Sequence, residues 1–263
     1  MSRHGRRTEL EPGYVLHHRP WRDTSRILDV FTREHGRLSL FARGVRGPKS
    51  RLASLLQPFR PLLLSWSGHG DPGQLTRAEP GTEAGEEPRA SLPAAALMSG
   101  WYLNELLLKL TTRLDPQPAL YLAYETALAG LRAGTDPAPV LRRFELEMLE
   151  LLGYGLDLRH EARSGRPIEP GSYYHFHPSL GFAAISSEPG PEAIAGASVL
   201  ALATGRLDEP RALDDARRVM RAALDHLLEG RELRTRTVAQ AVVRRPRRDV
   251  AADGRMDENG NAS

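Results

Sequence analysis

The chain of 263 residues contains no cysteine, which excludes disulfides, thiolate-held zinc, iron–sulfur clusters and thiol nucleophiles together. Lysine is nearly missing too. Of 36 basic residues only Lys49 and Lys109 are lysines, and a GC-rich genome explains that arginine bias as readily as any function does. Aromatics are sparse at 6%. The uncharged apolar stretch at residues 193–203 falls far short of the ~20 residues a membrane helix needs, and the opening Met-Ser-Arg-His-Gly-Arg-Arg has no apolar export core. The expectation is a folded protein of the cytoplasm with no membrane span. Hydrolase and dinucleotide signatures are absent: no G-x-S-x-G, H-E-x-x-H or G-x-G-x-x-G occurs, and Gly47-Pro48-Lys49-Ser50 lacks the spacing of a phosphate-cradling loop.

What the chain has is an uneven charge distribution. Residues 1–51 hold 12 Lys/Arg against 5 Asp/Glu, and residues 231–248 hold 7 against 1, within a net charge of only +3. Two basic blocks near the ends of a more neutral scaffold suit a polyanionic partner. Apolar residues at 40% and charged residues at 26% belong to a globular rather than a disordered chain.

Short apolar runs separated by turn signals predict strands at 14–18, 26–32, 37–42, 59–66 and 74–79, with Glu34-His35-Gly36 turning the second into the third. Residues 50–56 have helical spacing instead, through Leu52, Leu55 and Leu56. Five strands with a helix between the third and fourth suit an oligonucleotide-binding (OB) barrel. Gly, Pro and Glu dominate up to residue 89, so a boundary is expected near 82. Beyond it the period becomes 3.6 in Leu97/Trp101/Asn104/Leu108, Leu120/Tyr124/Leu128/Leu131 and Leu141/Phe144/Met148/Leu151. Further helices are predicted at 191–204, 208–229 and 231–243, the second with a stripe of Leu213, Ala216, Met220, Leu224 and Leu227. Residues 157–188 interrupt them with a β-hairpin insert. The fold class is α+β: an OB domain at 1–82, a mainly helical domain at 83–245, and a disordered tail at 246–263.

The segment from Arg43 to Arg51 carries Arg43, Arg46, Lys49 and Arg51, two glycines and no acid. Such a loop lays cations along a phosphate chain, although a solvated surface loop has the same composition. Strict alternation on the third strand sends Leu38, Leu40 and Ala42 inward and Arg37, Ser39, Phe41 and Arg43 outward. Phe41 then either stacks on a base or packs under the linker or on the second domain. His160, His175 and His177 are the only metal candidates; a hairpin with surface histidines explains them equally well, and no metal or other cofactor is expected.

The run VLHHRPWRDTSRILDVFT at 15–32, Gly36-Arg37-Leu38, Ala42-Arg43-Gly44, Leu56-Gln-Pro-Phe59, Tyr102-Leu-Asn-Glu-Leu106, Leu141-Arg-Arg-Phe-Glu-Leu146 and Leu152-Gly-Tyr-Gly155 occur in one order. That ordered set resembles the RecO family of bacterial recombination mediators, over residues 14 to about 240. The resemblance implies an OB barrel on a helical domain and a non-enzymatic role in recombinational repair. It implies binding of single- and double-stranded DNA, annealing of complementary strands, association with RecR and with single-stranded-DNA-binding protein, and help in loading RecA; the setting would be the nucleoid. Many members carry a four-cysteine zinc module in the insert, which this chain lacks. The DNA-binding candidates are Arg43, Arg46, Lys49 and Arg51, supported by Arg22, Arg26, Arg37 and Phe41, with Arg244, Arg245, Arg247 and Arg248 as a second patch. Arg142 and Arg143, near the positive end of their helix, are expected either to receive the acidic, phenylalanine-ended tail of single-stranded-DNA-binding protein or to pair with Glu145 and Glu147. An RNA-binding barrel and a histidine-metal hydrolase are the alternatives.

Overall fold

A computed structural model describes residues 7–45, 50–68, 70–81 and 91–244, leaving the side chains of Arg51 and of residues 240–244 undescribed. The expected disordered tail therefore lies outside the described residues. The first half is a closed barrel of β1 (Arg7–Trp21), β2 (Ser25–Thr32), β3 (Gly36–Ala42), β4 (Leu62–Ser67) and β5 (Gly73–Pro80), in the order β1-β2-β3-β5-β4, with the short helix α1 (Arg51–Leu55) between β3 and β4. This is the expected OB arrangement. Neighbours are antiparallel except β3 and β5, which run parallel for one short contact at Leu40–Gly73 and Phe41–Gln74. Val15, Leu28, Val30, Leu38, Leu40, Ala42, Leu62 and Leu64 fill the interior, and Leu56 closes one end. Two strands depart from expectation by more than one residue. β1 runs seven residues earlier and three later than predicted, because both extensions are mostly polar and carry no apolar run to announce a strand. β4 begins at Leu62 because Phe59 sits at φ 68°, which takes the chain out of the sheet.

The second half contains α2 (Leu97–Leu110), α3 (Pro118–Arg132), α4 (Pro137–Leu151), α5 (Gly196–Thr204), α6 (Pro210–Leu228) and α7 (Arg234–Arg244). Asp136 caps α4 by accepting the Ala138 N–H at 2.9 Å, as the Thr-Asp-Pro signal predicts. The insert folds as β6 (Tyr173–His177) and β7 (Gly181–Ala184), held by packing through Phe176 and Phe182 at 4.9 Å and by buried Tyr174 and Ile168. A predicted helix over 191–204 starts only at 196: Ile194–Ala195 form β8, which pairs with Tyr173 and Tyr174 of β6. The face of α2 is also rotated from the predicted one. Leu97 and Trp101 are exposed, while Tyr102, Leu103, Asn104, Leu106 and Leu107 are buried, since this helix is covered on two sides.

The two halves share one core. Tyr14, Leu16, Phe31 and Phe59 of the barrel half belong to the helical cluster, whereas Val15 belongs to the barrel interior. β1 is thus buried on both faces at its centre. The register skips from Val15–Val30 to His17–Asp29, making Leu16 a bulge residue with no β2 partner. Its carbonyl accepts from Asn104 Nδ2 at 2.8 Å, and Asn104 Oδ1 accepts from the Tyr124 hydroxyl at 2.6 Å, all of it buried. Gly36, at φ 66°, fits a second close approach: a Cβ there would lie 2.0 Å from the Asp115 carbonyl oxygen. Asn104→Leu leaves the Leu16 carbonyl and the Tyr124 hydroxyl buried without partners. It should therefore cost about 2–4 kcal/mol in denaturant unfolding, and adding Tyr124→Phe should recover part of that loss.

Candidate functional site

The outer face of β1-β2-β3 is divided by what covers it. Cross-strand register builds it in rows: Tyr14–Phe31–Arg37, then His17–Asp29–Ser39, then Arg19–Ile27–Phe41, then Trp21 opposite Ser25. The first row lies under the helices. Tyr14 and Phe31 are fully buried, and the Arg37 guanidinium donates from Nε to Thr111 Oγ1 at 3.0 Å and from Nη2 to the Thr111 carbonyl at 2.7 Å. The last rows are open. Trp21 is 44% exposed, its ring 6.4 Å from that of Phe41 and nearly perpendicular to it, and the Arg43 guanidinium stands 5.7 Å from the Phe41 centroid. Arg19 is exposed on the same face. An exposed indole backed by an edge-on phenyl and flanked by arginines offers a stacking plane with cations for adjoining phosphates.

Several expected residues sit elsewhere. Arg37 is corrected: it obeys strict alternation and points outward, but outward there means into the helical half, where Thr111 takes its donors. Arg26 lies opposite Ala42, on the parity of the barrel interior, and its Nη1 is buried without a hydrogen-bond partner among the described residues. Burial and the Arg26 charge hold the His18 imidazole below its usual pKa. Arg22 is exposed in the β1–β2 turn at φ 52°. Arg51 opens α1 and Arg244 ends α7, with side chains outside the description; Arg46, Lys49, Arg245, Arg247 and Arg248 lie outside the described residues altogether. A first strand that stops at residue 18 misses Trp21 and Arg19. The alternation of His17, Arg19 and Trp21 was the signal that could have placed them.

A second concavity, of about 480 Å³, lies between α2, α4, α6 and α7. Met98, Tyr102, Pro137 and Leu141 give it apolar walls, Arg142, Arg217, Arg221 and Arg236 surround it, and Glu145 lines it, while Asp225 pairs with Arg221 at 3.6 Å and with Arg236. Arg142 is only 9% exposed and pairs with fully buried Glu145 through Nη2 and Oε1, the spacing of three expected for an intrahelical pair. Tyr102 also donates to Oε1, at 2.7 Å. Arg142 Nε and Glu145 Oε2 remain buried without partners among the described residues. Burial raises the Glu145 pKa, and Arg142 and the Tyr102 hydroxyl only partly oppose it. α7 forms one wall because Glu105 of α2 caps it, accepting the Arg234 N–H at 2.8 Å, the Thr235 N–H at 2.9 Å and the Thr235 hydroxyl at 2.7 Å. Arg236 then reaches over the Tyr102 ring at 5.8 Å. Arg143 does not join Arg142. It is exposed on another side of α4, in a groove with Leu146, Thr204 and Gly205.

The histidines do not converge. His175 and His177 are exposed on one face of β6, His160 pairs with Asp157 at 3.1 Å, and His177 Nδ1 lies 3.0 Å from the Ser179 hydroxyl. Among the described residues no three His, Asp or Glu side chains are grouped to hold a metal ion, and no helix is long and apolar enough to cross a membrane.

Comparison with known proteins matches residues 7–82 to the family model "Recombination protein O N terminal" and residues 94–237 to "Recombination protein O C terminal". The DNA repair protein RecO of Azoarcus sp. (strain BH72) is 40% identical over 241 residues, covering 90% of this chain and 97% of that protein. The RecO proteins of Methylococcus capsulatus (strain Bath) and Nitrosococcus oceani are each 42% identical, covering 88% and 90% of this chain and 92% and 95% of theirs. The OB barrel, the helical half behind it and these matches over most of the length agree: the chain belongs to the RecO family of DNA repair proteins.

Proposed function

We propose that this chain is a recombination mediator that binds DNA, anneals complementary strands and, with RecR, helps load the RecA recombinase on strands coated by single-stranded-DNA-binding protein, acting in the cytoplasm on the nucleoid. No bond is made or broken. Cations lower the repulsion between two phosphate chains, and base pairing supplies the free energy. In this reading residues 1–82 hold DNA and residues 83–245 hold the partner. The observation that carries it is the exposed Trp21 ring on the open half of the barrel face, with Phe41, Arg43 and Arg19 around it and the cationic 43–51 segment beginning at its edge. The 480 Å³ pocket supports the partner reading, since it combines apolar walls, an excess of arginines and a buried Arg142 Nε without a partner. That chemistry suits an acidic segment ending in an aromatic residue.

Annealing of complementary oligonucleotides, bare and coated with single-stranded-DNA-binding protein, tests the whole reading: both should accelerate when the protein is added, and acceleration of neither would overturn it. Trp21→Ala should weaken binding of a single strand by roughly 5- to 150-fold, the worth of one stacked base, as read by anisotropy. Removing Arg43, Arg46, Lys49 and Arg51 together should shallow the slope of log affinity against log salt by roughly 2 to 3 units, at about 0.7 per phosphate. An unchanged slope would move the cationic contact to the 244–248 block. For the pocket, Arg217→Glu with Arg221→Glu changes exposed side chains on its rim. This pair should cut binding of the acidic tail peptide at least tenfold and slow annealing of coated strands, with bare-strand annealing nearly intact; equal loss in both assays would refute a partner-specific role.

A further inference from the structure

The barrel face described above has acids at its centre, which is unexpected for a surface that meets a phosphate chain. Asp29 of β2 and Asp71 of the β4–β5 loop sit at the border between the covered and open halves, their side chains 20% and 14% exposed. Both are fixed by Ser39: its N–H donates to Asp71 Oδ1 at 2.7 Å and its hydroxyl to Asp29 Oδ1 at 3.0 Å. The cation that meets them comes from the other half of the molecule. Arg113, just past the end of α2, donates from Nε to Asp71 Oδ2, from Nη1 to Asp29 Oδ1 at 3.2 Å and from Nη2 to Ser39 Oγ. Its backbone is held as firmly. Residue 113 bridges Arg37 in parallel, and the Leu114 N–H donates to the Arg37 carbonyl at 2.8 Å, so this segment serves as a short extra strand on the part of β3 that β5 does not reach. His17, Arg19 and Ile27 continue the same groove into the open half.

Two carboxylates beside a phosphate path repel it, while the Arg113 guanidinium between them, with the Arg37 charge acting on the same pair, offsets that repulsion. We infer that Arg113 is a positioning residue by which the helical half makes the barrel face acceptable to a nucleic-acid strand: it holds Asp29 and Asp71 down and cancels part of their charge, without contacting phosphate itself. The inference rests on the barrel-face reading of the proposed function. Consistent with a tight cluster, burial pushes the Asp71 carboxyl up but hydrogen bonds from Arg113 and the Ser39 N–H outweigh it, holding its pKa below the usual value.

The test uses the full chain and fluorescein-labelled oligo(dT). Arg113→Met should weaken binding roughly tenfold at low salt and less as salt rises, and Arg113→Met/Asp29→Asn/Asp71→Asn should recover to within about threefold of the unsubstituted protein. Asp29→Asn/Asp71→Asn alone should bind severalfold tighter, and thermal unfolding of each variant reports on folding. A weakened Arg113→Met that the two asparagines fail to rescue would make Arg113 a direct phosphate contact and overturn the inference. Should Arg113→Met fail to fold, the Asp29→Asn/Asp71→Asn protein decides: unchanged or weaker binding overturns it. Trp21→Ala separates the two levels. If it weakens binding while the Arg113 series does nothing, this inference fails and the barrel-face reading stands; if neither matters, the face reading fails.

Discussion

The burial of β1 on both of its faces is the constraint from which the rest of the architecture follows. Tyr14 and Leu16 face the helices and Val15 faces the barrel, so three consecutive residues are inaccessible to water. Each contributes about 1.5–3 kcal/mol by burial. A strand covered on both sides cannot leave polar backbone groups unpaired, and the bulge at Leu16 does that locally. Asn104 supplies the missing partner from α2, which fixes the helix axially against the barrel; Tyr124 in turn fixes Asn104. One buried amide thereby sets the register between a helix and a strand 88 positions apart in sequence.

That docking determines which part of the barrel surface remains available. With the Tyr14–Phe31–Arg37 row covered, the next outward positions along each strand form a border, and only the far end of the face, with Trp21 and Phe41, stays open. The border is where hydrogen-bonded charge gathers, because residues there are neither dry enough for an apolar core nor wet enough to be left unpaired. Arg37, at the edge of the covered row, lies beside Arg113 of the border, and burial together with the Arg113 charge lowers the Arg37 pKa. Each arginine is satisfied by a different half of the protein.

Local rules made much of this legible in the sequence. Alternation placed Leu38, Leu40 and Ala42 inside the barrel, helical spacing placed α1 between the third and fourth strands, and Thr135-Asp136-Pro137 marked the start of α4. What local rules lacked was knowledge of what covers each surface. Arg37 and Phe41 have the same parity on one strand and opposite surroundings, and no periodicity distinguishes them. Arg142 and Arg143 are adjacent, yet one is buried beside Glu145 and the other lies on a different groove. The rotated face of α2 has the same origin: the stripe Leu97/Trp101/Asn104/Leu108 keeps Asn104 inside, on the strand carbonyl it serves, but leaves Leu97 and Trp101 exposed. Ile194 and Ala195 read as helix because their partner strand, β6, is some twenty residues away. Family resemblance points to segments; only the packing shows what surrounds each side chain.

The close approach at Gly36 and Asp115 bears on how separable the two halves are. Cut near residue 82, the barrel would retain its own interior but expose Tyr14, Leu16, Phe31 and Phe59 as a contiguous apolar patch, of the sort that drives isolated modules to aggregate. The lower edge of β3 would also lose the strand-like segment at Arg113–Leu114 and present free backbone donors and acceptors. Although the chain reads as a barrel followed by helices, recombining it with a foreign partner module would require rebuilding that seam. Its two halves are constrained to change together, as a single heritable unit rather than as interchangeable parts.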